Sequence, residues 1–211
     1  MTNIKRTAKG FFWNQIGRTI EYVLIFLFAA LIARKLGAET NGIYASVLST
    51  VYFLLIISSM GFETAIASSF PKTDKDISSA SGAFRGMLIF RFFISIVIGI
   101  GFLLLRTTLI RLLHLPPFVF NYLLIVVFYF ILRNIISLFN STLIAFFETR
   151  LTSFISVSIR SIELVAAYLL VNSGHNLQWI FLLITATSLI QIVFYAVAAK
   201  PLLFSASEDK S

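Results

Sequence analysis

Arg160 and Glu163 stand near the middle of an apolar run over 151–171. At about 1.5 Å per residue that run spans a hydrocarbon layer of roughly 30 Å. With Ser153 and Ser156 they recur at intervals of three and four, so they share one helix face and leave the rest apolar. A charge at mid-bilayer is disfavoured by about 2.5–3.5 kcal/mol. The stripe must therefore face protein or a water-filled hollow. Arg133 heads a similar stripe with Ser137 and Asn140, Arg91 enters another apolar run, and Arg18 and Glu21 lie at the edge of the first. The arginines outnumber the acids, which makes a cationic interior that favours an anionic ligand. The planar guanidinium fork suits phosphate oxygens. The candidate substrate-binding residues are thus Arg160, Arg133, Arg91 and Arg18. Glu163 and Glu21 are candidates for charge balance or for carrying a proton or sodium ion through a transport cycle.

Plainer readings stay open for each. Arg91 and Arg133 can snorkel to headgroups, Arg160 can form a structural ion pair with Glu163, and Arg18 with Glu21 can be interfacial. Serines, threonines and asparagines often just bridge membrane helices.

These residues need helices to carry them through a membrane. The chain is 58% hydrophobic and 12% charged, against about 25% charged in soluble domains. Its apolar residues come in long blocks divided by short polar joints, the pattern of an all-α polytopic membrane protein. Six transmembrane helices are expected in a single unit over 1–211, at about 10–33, 43–60, 84–105, 118–146, 151–171 and 178–199. A continuation of the second to 70, where Pro71 would stop it, is left open. Span six carries its own polar stripe of Ser188, Gln191 and Tyr195. Lys and Arg concentrate on one side of these spans. Ten, including Lys5, Arg6, Lys9, Lys72, Lys75 and Arg150, fall on the N-terminal side, against Arg34, Lys35, Arg106 and Arg111 on the other. That bias places both termini in the cytoplasm. The apolar start is read as a span and not as a cleaved signal peptide, because more spans follow at once and Ala33-Arg34-Lys35 is a poor cleavage site.

Several function classes fall away. The chain has no cysteine, so disulfides, thiol catalysis and cysteine metal sites are excluded. His114 and His175 both sit in joints, and no metal-ligand spacing, nucleophile elbow or glycine-rich phosphate loop occurs. No catalytic residue, metal or cofactor is expected, and the protein is not read as an enzyme. The net charge of +8 fits attraction to anionic membrane lipid. The 23 phenylalanines read as lipid-facing surface, not as nucleic-acid stacking platforms.

Two motifs carry a resemblance. Ala33-Arg34-Lys35-Leu36-Gly37-Ala38-Glu39-Thr40-Asn41-Gly42-Ile43-Tyr44 resembles the A-R-x-L-G-P-x-x-x-G-x-Y joint after the first helix of polysaccharide-export proteins. Ser58-Ser59-Met60-Gly61-Phe62-Glu63 is similar to the stretch closing their second helix. Together they resemble the O-antigen flippase branch of the multidrug/oligosaccharidyl-lipid/polysaccharide exporter superfamily. Ala38 stands where that family usually has proline. The resemblance implies one lobe of a two-lobe flippase-type transporter that flips undecaprenyl-pyrophosphate-linked oligosaccharide for surface polysaccharide or lipopolysaccharide synthesis. It implies a bacterial or archaeal cytoplasmic (inner) membrane, and glycines 37, 42 and 61 shaping tight joints. Such transporters have twelve or more spans, so a second six-helix lobe, either a C-terminal half or another copy, is the implied partner. The alternatives are a multidrug-type cation antiporter lobe and a non-transporting structural protein.

Overall fold

A computed structural model describes residues 2–59, 61, 77–112, 122–145 and 149–200. Its elements are α1 (Thr2–Leu36), α2 (Ala38–Ser59), α3 (Ile77–Leu104), the short α4 (Arg106–Leu112), α5 (Leu123–Ala145), α6 (Thr149–Asn172) and α7 (Leu177–Ala198). No strand occurs among the described residues. Six helices are long and apolar enough to cross a membrane: Phe12–Leu36, Ala38–Ser59, Phe84–Leu104, Leu123–Ala145, Thr149–Asn172 and Leu177–Ala198. The expected all-α architecture of six spans is what forms.

The boundaries follow local chemistry. Arg34 and Lys35 in the last turn of α1 complement the negative end of its dipole. Gly37 then takes φ +90°, a left-handed turn open to glycine at no steric cost. Helix α2 restarts immediately, with Asn41 N donating to Gly37 O at 3.1 Å. The polar stretch before Ile43 is therefore helical and not a joint, and Gly42 lies inside α2. Only one glycine is needed there, because a single left-handed residue reverses the chain direction. At the end of α6, Gly174 (φ +77°) closes a Schellman cap. Its N–H donates to Val171 O at 3.1 Å, and that of His175 to Leu170 O at 3.1 Å. The proposed continuation of the second span beyond Met60, Glu63, His114 and the start of the fourth span at 118–121 lie outside the described residues.

Helix α5 is the most enclosed span, and it touches α2, α3, α6 and α7; α1 lies along α6. The apolar core has two tiers. One gathers Phe28, Val47, Val126, Phe130, Ala167, Phe181 and Ile184. The other gathers Phe84, Leu138, Phe139, Leu143, Ile155, Ile159 and Tyr195. Along α5, α6 and α7 the residues between the tiers are polar: Arg133 and Asn134, Arg160 and Glu163, Thr187 and Gln191. Ser95 and Arg91 of α3 and Glu21 of α1 fall at the same level. The bundle is thus apolar, polar, apolar along its length.

Where helices meet closely, one side chain is small. A Cβ on Gly17 of α1 would lie 2.5 Å from Ser153 Cβ of α6. Such small-residue seams replace hydrophobic pressure, which lipid does not supply between helices. Gly42 has nothing within 4 Å of a built Cβ. Gly17→Val should therefore destabilise the bundle by about 1–3 kcal/mol through overpacking. Gly42→Ala should be neutral or stabilising by about 0.5–1 kcal/mol. Thermal unfolding of the detergent-solubilised protein measures both, and an unchanged midpoint for Gly17→Val would mean that the seam is loose.

Candidate functional site: a polar layer and its cleft

The polar layer divides into three groups. In the first, Arg160 on α6 is clamped between two carboxylates. Its Nη1 donates to Glu163 Oε2 at 2.6 Å, one turn on, and its Nε lies 3.5 Å from Glu21 Oε1 on α1. Thr187 Oγ1 on α7 donates to the second oxygen of Glu163 at 2.7 Å. All three charged side chains are largely enclosed, at 11%, 4% and 24% exposure for Arg160, Glu163 and Glu21. One guanidinium therefore ties α1 to α6, and one carboxylate ties α6 to α7. A hollow of about 80 Å³ beside Arg160 and Glu163 is walled by Tyr44, Tyr52, Tyr129 and Phe28. It has room for a little water but not for a sugar.

The second group is a knot between α3 and α5. Arg91 is 1% exposed, and its Nη1 donates to the Asn134 carbonyl at 3.2 Å. Ser95 Oγ donates back to the Arg91 carbonyl at 2.6 Å and receives Asn134 Nδ2. Arg91 is thus turned into the protein, and snorkelling to headgroups is not what its side chain does.

The third group lines an open cleft of about 320 Å³. Arg133, Ser137 and Asn140 of α5 face it together, as their shared stripe implies, with Ser156 of α6 and Gln191 and Tyr195 of α7. Glu21 and Tyr52 complete its rim. Tyr195 Oη lies 3.0 Å from Ser156 Oγ and 3.5 Å from Asn140 Oδ1. Arg133 Nη1 reaches Gln191 Oε1 at 3.4 Å, near the limit of a hydrogen bond. Its Nε is buried with no hydrogen-bond partner among the described residues.

The six candidates therefore separate. Arg133 faces the cleft, and Glu21 joins the cleft to the Arg160 clamp. Arg160 has its charge already met by Glu21 and Glu163. Arg91 belongs to the α3–α5 knot, and Arg18 is exposed and outside the cleft lining. The interior is less cationic than a count of arginines implies, because the acids sit directly on Arg160. Tyr52, Asn134 and Thr187 were not legible as site residues. Tyr52 borders both hollows; its spacing from Ser59 by seven residues on one helix face is the available signal. Among the described residues no His/Asp/Glu cluster could hold a metal ion.

Six spanning helices around a polar layer define a multi-pass membrane protein with an inter-helix cleft, and not a soluble fold with a sticky surface. Residues 7–208 match the polysaccharide biosynthesis protein family, and the chain belongs to it. No curated protein matches the sequence. No solved structure matches it either.

The clamp makes a sharp energetic prediction. Removing one partner of a buried ion pair leaves the other uncompensated, at about 3–5 kcal/mol. In a Glu21→Gln background, where no second carboxylate is stranded, Arg160→Leu should lose that much stability, whereas Arg160→Leu combined with Glu163→Leu should recover most of it. Chemical unfolding in detergent of the two single variants and the double variant tests the coupling, and additive losses would show the pair to be energetically idle.

Proposed function

We propose that this protein translocates a lipid-linked oligosaccharide, an undecaprenyl pyrophosphate carrying a surface-polysaccharide unit, across the cytoplasmic membrane of a bacterium or archaeon. The family supports the substrate class, and the cleft supports the mode of binding. The observation that carries the reading is Arg133. It is a guanidinium at mid-membrane depth with one long hydrogen bond, a buried Nε without a partner among the described residues, and an open polar cleft in front of it. Charge-assisted bonds to phosphate would complete it. Around it Asn140, Ser156, Gln191 and Tyr195 offer neutral donors and acceptors that suit sugar hydroxyls.

In this reading Arg160 shapes the site rather than binding in it. It holds Glu21 at the cleft rim, where that carboxylate can balance charge or take up a coupling ion as substrate comes and goes. Arg91 holds the backbone carbonyl of Asn134, a residue of the cleft wall, and Arg18 has no direct part. The chain performs no covalent chemistry. The open side of the cleft is closed by a second six-helix unit that completes the cavity. Six crossings return the chain to the side where it starts, and the Lys/Arg bias makes that side the cytoplasm.

The test is binding of a polyprenyl pyrophosphate to the purified protein. Arg133→Gln, with helicity retained, is expected to weaken binding by roughly ten- to a hundredfold, the worth of charged hydrogen bonds at about 1.5–3 kcal/mol. Arg133→Lys should recover part, as a point charge without the fork. Unchanged affinity in Arg133→Gln would remove the proposed site.

A further inference from the structure

Away from the cleft, an open groove of about 560 Å³ runs along the Gly17–Ser153 seam between α1 and α6. Its walls are mainly apolar: Ile16 and Ile20 on α1, Phe154 and Val157 on α6. At one end stand Trp13 and Arg150. The Arg150 guanidinium lies over the Trp13 ring, 5.2 Å from its centroid. Arg150 is exposed and has no carboxylate partner among the described residues.

Depth decides what this groove meets. In the sequence, Trp13 follows the cationic stretch that holds Lys5, Arg6 and Lys9, and Arg150 closes the polar joint Glu148-Thr149-Arg150 before the next apolar run. Both therefore sit at the edge of the hydrocarbon, where tryptophan rings and phosphate headgroups lie. Ile20 and Val157 lie one to two turns deeper, at the level of acyl chains. An oily trough under a single cation matches a molecule with an apolar tail and an anionic head, which neither a soluble anion nor a neutral lipid satisfies. The volume lies within the range of about 300–1,000 Å³ typical of small-molecule sites.

The geometry points to a resident site for an anionic phospholipid of the phosphatidylglycerol type, with its phosphate on Arg150 and one acyl chain along the α1–α6 groove. Trp13 holds the guanidinium by its π-face, which fixes the cation without neutralising it. The lipid covers the seam from the membrane side. The site is separate from the polar cleft and does not depend on the transport reading.

The protein carries its own probe. Its two tryptophans are Trp13 and Trp179, and Trp179 lies at the start of α7. In full-length protein carrying Trp179→Phe, Trp13 emission in vesicles reports lipids with brominated acyl chains. Brominated phosphatidylglycerol should occupy the groove about fivefold more strongly than brominated phosphatidylcholine, the effect of one basic residue on an anionic headgroup. Arg150→Gln should abolish that preference, and Arg34→Gln, an exposed cation at the other end of α1, should leave it intact. Equal quenching by the two lipids would overturn the proposal, as would a preference that survives Arg150→Gln or falls equally with Arg34→Gln. Relief of quenching by a stoichiometric amount of a polyprenyl phosphate would also overturn it, by assigning the groove to that lipid.

Discussion

Charged and hydrogen-bonding side chains at the centre of a membrane bundle must be satisfied by one another, because lipid offers them nothing. That constraint organises this protein. The Arg160 clamp reaches α1, α6 and α7 through Glu21, Glu163 and Thr187. The Arg91 knot joins α3 to α5. The two apolar tiers above and below contribute shape and contact. The polar layer fixes the rotation of α1, α3, α5 and α6, since turning any of them would strand a charge in hydrocarbon.

The same layer creates the site. Polar groups satisfied completely would leave an inert plug, and groups left wholly open would not stay buried. The arrangement here is graded. Glu163 receives a guanidinium and a hydroxyl, Arg160 receives two carboxylates, and Arg133 receives one amide oxygen at long range. Hydrogen-bonding capacity therefore stays open to a ligand in the cleft beside Arg133, Asn140, Gln191 and Tyr195. Glu21 belongs to both the committed and the open parts, so a change of charge in the cleft bears directly on the clamp.

Much of this was legible beforehand, and what was not has a physical cause. Hydropathy anticipated an all-helical chain with six apolar spans, because the signal is carried by long apolar runs. It missed the first turn of α2, where Ala38, Glu39, Thr40 and Asn41 are helical despite their polarity. There the headgroup region solvates them while Gly37 alone makes the turn. Helical spacing grouped Arg133 with Ser137 and Asn140, and Ser188 with Gln191 and Tyr195; all of these line the cleft except Ser188, which is buried and donates to the Ile184 carbonyl. Spacing could not say which arginine stays available. That depends on Glu21 reaching Arg160 from another helix, and on Arg91 turning towards a backbone carbonyl. A single sequence without partners marked in space makes four arginines look alike.

The cross-helix clamp also bears on how the chain enters the bilayer during synthesis. Helix α6 emerges with Arg160 and Glu163 before Thr187 of α7 has been made, while Glu21 of α1 is already in place. Its favourable path into lipid is beside α1, with Gly17 and Ser153 allowing close docking. Helix α7 then arrives to finish the job. The early helix acts as an internal receptor for a later one.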